Sequence, residues 1–230
     1  MRRSDRIAAL AVRHPTPFRW MFRLSRLRLL PTILHRHWLA IKVANAISAP
    51  AGELQWARVV MNQDCERFLR SINHSTLSAL EISPGYLDTW KQVGFASYEG
   101  VDYPTYDVCT DVLPRQFDVI VADQVFEHIR SPWRAARNIL QMLRAGGHFI
   151  VMTPFLIKVH QFPIDCYRWT ETGIRFLLED AGFVNIETHS WGNRACVVAN
   201  FTDWRSYGWW HSLKNEPDYP VVVWAFAQRT

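Results

Sequence analysis

From Ser78 onward, short apolar runs alternate with stretches of helical period, and this alternation limits the fold more than any other feature of the chain. The runs are "SALEI", "FASYEGVD", "YDVCTD", "FDVIVAD", "HFIVMTP", "VNIETHSW" and "VVVWAFAQ". Seven candidate strands separated by helix-length segments predict an α/β fold, a mostly parallel sheet covered by helices. The last two runs break the pattern. A long loop, about 191–220, joins them without an amphipathic segment to serve as a right-handed crossover. They are therefore expected to pair antiparallel, as a hairpin at the sheet edge. Two helices carry boundary signals. "PWRAARNILQMLRAGG" follows Ser131, has Pro132 at its first position and Gly146 as its expected stop. "ETGIRFLLEDAGF" follows Thr170 as its cap and ends at Gly182.

The chain before this region has another character. Up to Lys42 it holds nine arginines and one lysine against the single acid Asp5, so the basic charge belongs to an arm and the remainder is mildly acidic. Residues 1–50 are expected to form a basic helical extension or cap, and residues 51–230 the α/β domain. Arg19, Arg23 and Arg26 share one helical face, Pro31 stops that helix, and a second runs from Thr32 to about Ile47. One reading makes the arm a membrane-surface or nucleic-acid-binding helix. The other packs it on the domain through Trp20, Trp38 and Ile41. "SAPAG" breaks the chain, and a third helix, "LQWARVVMNQDCERFLRSI", follows.

Composition excludes several classes. No apolar run reaches the roughly 18 residues needed to span a bilayer, and "MRRSDRIAAL" lacks the apolar stretch and cleavage site of a signal peptide. Cys65, Cys109, Cys166 and Cys196 are far apart and form no CxxC pair, which argues against a zinc ribbon and a disulfide scaffold. A cytoplasmic setting is expected, with peripheral membrane contact if the first reading of the arm holds.

Open α/β sheets bind ligands at the carboxyl ends of their strands, where strand order reverses. The first strand is expected to end at Glu81–Ile82, and the turn "SPGY" feeds a short helix, "LDTWKQV". Asp102 ends the next strand 21 residues after Glu81, a spacing that suits a carboxylate accepting from both hydroxyls of a ribose.

"ALEISPGY", "GVD", "FDVIVADQVFEHI" and "LRAGGHFIVMTP", in this order, resemble the class I S-adenosylmethionine-dependent methyltransferases. The match is to the branch whose fourth strand is followed by a "VLEH"-like segment, and it covers about residues 78–190. The resemblance implies a Rossmann-like seven-stranded sheet with an antiparallel last strand and S-adenosylmethionine as cofactor. In the family the first loop usually reads acid-x-Gly-x-Gly; here Ser83 and Gly85 occupy the two glycine positions. Ser83 is expected to fit there at negative φ. Glu81 and Gly85 would line the amino-acid and ribose part of the cofactor, and Asp102 would hold the ribose hydroxyls. Asp111 would face the adenine amino group, with Asp107 as the alternative, and Asp123 and Gln124 would lie near the methionine moiety. The segment between the second and third strands is too short for the family's usual helix there.

For the acceptor, "QVFEHI" places Glu127 and His128 beside the cofactor strand. Some O-methyltransferases of this branch carry Glu-x-x-Glu-His there and bind a divalent metal; Gln124 replaces the first Glu in this chain. The other reading has Glu127 and His128 orienting loops. "TPFLIKVHQFPIDCYRWTETG" resembles a segment of many bacterial methyltransferases of this branch. One reading makes His160 the general base, has Asp165 orient it, and gives Arg168 and Trp169 to the acceptor. The alternative is an Asp165–Arg168 ion pair that shapes the loop. In the aromatic loop, Trp191 and its neighbours could stack on a sugar, a ring or a lipid, or pack on the arm. The "FEH" segment, the histidines near the expected pocket and the aromatic loop make O-methylation of a small molecule or glycan the first expectation. An RNA or protein methyltransferase using the arm, and a binding protein that has lost the cofactor through Ser83, are the alternatives. Nucleic acid is disfavoured, since "DQVF" is not the Asn/Asp-Pro-Pro-aromatic turn of amino-group methylases.

Overall fold

The computed structural model describes residues 54–230 apart from 86, 87, 162 and 203. The expected arm helices at 1–50 lie outside the described residues. Six strands form one sheet in the order β2-β1-β3-β4-β6-β5: β1 (Ser78–Ile82), β2 (Ser97–Val101), β3 (Phe117–Asp123), β4 (Leu143–Pro154), β5 (Val184–Trp191) and β6 (Val222–Gln228). β1 pairs in parallel with β2 and β3, and β3 with β4; β6 runs antiparallel to both β4 and β5. The α/β fold with an antiparallel last strand is as expected.

Three details differ from the expectation. "YDVCTD" is not a strand, so the described sheet has six strands and not seven. Asp107 Oδ1 accepts from Cys109 N at 2.9 Å and Asp111 Oδ2 from Asp107 N at 2.8 Å. These local bonds give the backbone an alternative to a ladder. The final hairpin is not wholly at the edge: β6 lies inside the sheet, and β5 forms the border. Six of the seven residues of β6 are buried, as a strand with a neighbour on each side and cover on each face requires, whereas β5 has exposed positions along its length. The loop between them also contains a helix, α4 (Arg194–Thr202).

α1 (Val59–Ser71) buries Met61, Cys65 and Leu69, and stacks Phe68 on Phe226 of β6 at 4.1 Å between ring centres. α2 (Pro132–Met142) and α3 (Glu171–Ala181) share a core with Leu80, Ile120, Phe149 and Ala225 of the sheet through Ile139, Ile174 and Leu178. Burial of each such side chain contributes about 1.5–3 kcal/mol. α3 has the expected ends: Thr170 accepts from Gly173 N at 3.0 Å, and Gly182 takes φ +102. α2 stops at Met142, so Gly146 is not its stop but stands in β4 at φ +76. The "LDTWKQV" helix is reduced, among its described residues, to a 3-10 turn at Lys91–Val93. No helix of the described residues is long and apolar enough to cross a membrane.

The chain divides into two compact units. The domain above comprises Ala57–Asp203 and Leu213–Thr230; the other unit takes its described residues from 54–56 and Trp204–Ser212. In that unit Trp56 stacks on His211 at 4.1 Å and donates from its indole to Ser212 O at 3.1 Å. Gln55 bridges Ser206.

Candidate active site

The parallel strands β2, β1 and β3 end on the same edge of the sheet, and the chain leaves β1 for opposite neighbours, which places the crevice between the ends of β1 and β3. Glu81, near the end of β1, is buried and accepts from the Tyr98 hydroxyl at 2.5 Å. Burial pushes its carboxyl above the usual range, against the pull of Tyr98 and the Gly85 amide. Ser83 follows at φ +58, not at the negative φ expected. A left-handed non-glycine residue costs about 1–2 kcal/mol, and here it has a local compensation. Ser83 N donates to Val101 O at 2.7 Å, and the hydroxyl donates to Asp102 Oδ1 at 2.5 Å. The serine at the first glycine position thus ties the ends of β1 and β2 together and aims the Asp102 carboxylate. Pro84 lies over Gly100 so closely that a Cβ there would stand 2.5 Å from its ring, so β2 needs glycine at that position. Among the described residues, a Cβ at Gly85 would meet nothing within 4 Å beyond its chain neighbours.

At the end of β3, Asp123 Oδ2 accepts from Arg58 of the segment before α1 and from the Trp90 indole at 2.8 Å. Its other oxygen, Oδ1, is buried with no hydrogen-bond partner, as is Gln124 Nε2. Gln124 is left-handed too, at φ +57. Strained residues therefore close both strands that flank the crevice, a placement typical of ligand sites. Asp111 is exposed and turned into its own loop through Asp107 N and Thr110 Oγ1, so it is spent on local bonds rather than held toward the crevice. Asp107 likewise caps Cys109 N.

Beyond Gln124 the chain turns through Glu127 and His128, and the segment after β4 is fastened across it. Cys166 N and Tyr167 N donate to Glu127 O at 2.7 and 3.2 Å. His128 Nδ1 bonds to Ile164 O. A carbonyl only accepts, so Nδ1 carries the proton, and Nε2 of the neutral ring is a lone pair. That Nε2 lies 3.6 Å from Glu127 Oε1, and His160 Nε2 lies 3.9 Å from the same oxygen. The two imidazoles meet edge to face at 4.8 Å. Glu127 is 0% exposed and neither carboxylate oxygen has a hydrogen-bond partner. Burial pushes its pKa up to about 8, helped by the Asp123 charge. Burial first, and His128 second, hold His160 below the usual histidine range.

Of the two readings of Asp165 and Arg168, the structure shows the ion pair that shapes the loop. Asp165 Oδ2 accepts from the His160 backbone amide at 2.8 Å and not from its ring. Its carboxylate grips Arg168 in a fork, with Nη2 to Oδ2 at 2.6 Å. Arg168 also donates to Tyr167 O and Lys158 O. The pair therefore shapes the loop that carries His160, and Arg168 is not presented to an acceptor. Trp169 is 6% exposed, with its indole toward Phe126 O, and Trp191 is 2% exposed and donates to Leu213 O at 3.0 Å. Both rings are buried, Trp169 in the loop before α3 and Trp191 at the end of β5, which leaves no open face for a substrate. Sequence reasoning missed Arg58, Trp90 and Tyr98. Arg58 and Trp90 lie 65 and 33 residues from Asp123 and carry no local signal. Tyr98 had one: it sits two residues before Gly100, the partner of Glu81 in the β1–β2 register.

Comparison with known proteins matches residues 64–188 to a family described as a methyltransferase domain. A stretch of 93 residues is 29% identical to a polyketide synthase-nonribosomal peptide synthetase of Aspergillus clavatus, covering 37% of this chain and 2% of that protein's length. Among solved structures, an S-adenosylmethionine-dependent methyltransferase from Mesorhizobium loti is 17% identical with a TM-score of 0.52, over 71% of this chain and 96% of that one. Phosphoethanolamine N-methyltransferase 2 of Haemonchus contortus, solved with S-adenosyl-L-methionine, is 14% identical with a TM-score of 0.52, over 73% and 52%. The CurJ carbon methyltransferase is 13% identical with a TM-score of 0.57, over 77% and 56%. At these identities the structures show a shared fold.

Proposed function

The chain belongs to the class I S-adenosylmethionine-dependent methyltransferases, and from that premise we propose that it methylates a hydroxyl oxygen of a small molecule or a glycan. The crevice residues suit the cofactor. The space beside Gly85 is open to a ligand, the exposed Asp102 carboxylate suits a ribose diol, and Asp123 Oδ1 and Gln124 Nε2 are a buried acceptor and donor still to be satisfied. S-adenosylmethionine, when bound, supplies a methyl group already activated on a sulfonium.

With the donor activated, positioning supplies much of the rate, and the acceptor decides what else is required. An alcohol holds its proton too tightly to attack at neutral pH and needs a base or a Lewis acid. An amine needs only to be deprotonated. The observation that carries the hydroxyl reading is the convergence of His128 Nε2 and His160 Nε2 on Glu127 Oε1, just past the cofactor strand. Such a cluster of proton-accepting atoms has a use with an alcohol and little with an amine. Asp165 and Arg168 serve it by fixing the backbone of His160.

The test is a panel of sugars, phenols and amines incubated with methyl-labelled S-adenosylmethionine. The expected product is an alkali-stable ether, and His160→Ala is expected to lower its rate by about 10²–10⁴-fold with cofactor binding retained. Amine products formed at a rate indifferent to His160→Ala would overturn the reading.

A further inference from the structure

Among the described residues, neither carboxyl oxygen of Glu127 in the Glu127–His128–His160 cluster has a hydrogen-bond partner, and this has a chemical meaning. Two segments build it: the turn after β3 contributes Glu127 and His128, and the loop after β4 contributes His160. One ligand atom from each residue lies within 4.8 Å of the others. The fixed proton on His128 Nδ1 leaves its Nε2 lone pair facing Glu127 Oε1. At 3.6 and 3.9 Å the contacts from the two rings to that oxygen are too long for hydrogen bonds. A wholly buried carboxyl with no partner on either oxygen is costly to ionise, by several kcal/mol or more, unless a cation stands beside it. The surroundings nevertheless hold it in place, through two backbone bonds to Glu127 O and one to His128 Nδ1.

We propose that Glu127, His128 and His160 hold a divalent transition-metal cation. A tetrahedral ion with bonds of about 2.1 Å places its ligand atoms about 3.4 Å apart. The two contacts to Glu127 exceed that by 0.2 and 0.5 Å, and all three ligand atoms lie within 4.8 Å of one another, so closing on an ion requires side-chain rotation. Two imidazole nitrogens and one carboxylate oxygen favour zinc, manganese or iron over magnesium or calcium, which prefer all-oxygen sets. The Ile164 carbonyl on His128 Nδ1 is the outer partner that a metal-bound histidine usually has, fixing tautomer and ring direction. Three protein ligands leave positions open, the arrangement of catalytic rather than structural sites. An acceptor oxygen on an open position would lose its proton more readily. That use rests on the hydroxyl reading; the binding of the ion does not.

The test is titration of the chelator-treated full chain with Mn²⁺, followed by electron paramagnetic resonance of the free ion, and with Zn²⁺ by calorimetry, both without cofactor or acceptor. One ion per chain is expected, with Mg²⁺ at least tenfold weaker, and a higher melting temperature on loading. Glu127→Gln and, at the less buried position, His160→Asn are each expected to weaken binding at least tenfold and abolish the thermal shift while keeping the circular dichroism of the parent. Absence of Mn²⁺ and Zn²⁺ binding at millimolar concentration, or binding unchanged in a folded His160→Asn chain, would overturn the proposal. A failed acceptor panel with intact metal binding would sink the hydroxyl reading alone.

Discussion

Ser83 shows how a single residue can modify a binding loop without dismantling it. Its left-handed backbone is the conformation glycine would supply, and its hydroxyl reaches Asp102. A β-branched residue there would keep the strain and lose the hydrogen bond. Ser83→Val is therefore expected to destabilise the chain by about 1–3 kcal/mol, read from urea denaturation midpoints at unchanged slope. The positions of Glu81 and Asp102 at the ends of β1 and β2 were legible because they rest on local spacing around a strand end. The burial of Trp169 and Trp191 was not. A tryptophan looks the same in sequence whether it faces a pocket or is packed beneath one, and only the assembled fold makes them 6% and 2% exposed. The strain at Ser83 was equally hidden, since φ depends on how Pro84 must seat over Gly100.

At the scale of elements, helix ends separate into those whose signal is used and those whose signal is idle. Thr170 caps α3 through Gly173 N, whereas the Ser131 side chain makes no cap bond to α2. Thr170→Ala is expected to cost about 0.5–2 kcal/mol, and Ser131→Ala less than half of that, in parallel thermal melts. The alternation of apolar runs identified the six strands that exist because their periodicity is a direct record of burial. It failed at "YDVCTD", where apolar Tyr106 and Val108 are buried but the aspartates between and beyond them bond to their own loop. Strand order carries no local signature either. That β6 enters the sheet between β4 and β5 follows from its burial on both faces, which the sequence shows only as an unbroken apolar run.

At the scale of the whole molecule, the sheet separates two jobs. Its carboxyl edge carries the left-handed residues Ser83 and Gln124 and the unpartnered buried atoms Asp123 Oδ1 and Gln124 Nε2. Near the start of β1 and β3, by contrast, Ser78 donates from its amide and hydroxyl to Asp118 Oδ2 at 2.8 and 2.6 Å, and Arg144 holds the same carboxylate at 2.7 Å. Partial burial raises the Asp118 carboxyl, but the Ser78 bonds and Arg144 outweigh it, so the folded-state value is depressed. A depressed value contributes stability that is fully present well above the unfolded pKa of about 3.9. It is lost as pH falls through the folded value. Asp118→Asn is therefore expected to be less stable than the parent at pH 7 and to lose less further stability between pH 5 and pH 3, followed by denaturant titration across that range.

On the function proposed above, the edge formed by Glu81, Ser83, Gly85 and Asp102 binds the cofactor despite its departures from the glycine-rich loop. The most direct measurement is calorimetric titration of the full chain with S-adenosylhomocysteine. One site per chain in the micromolar range is expected, weakened at least tenfold by Asp102→Ala in a protein that remains folded. No heat of binding at high protein concentration, or an affinity indifferent to Asp102, would contradict it.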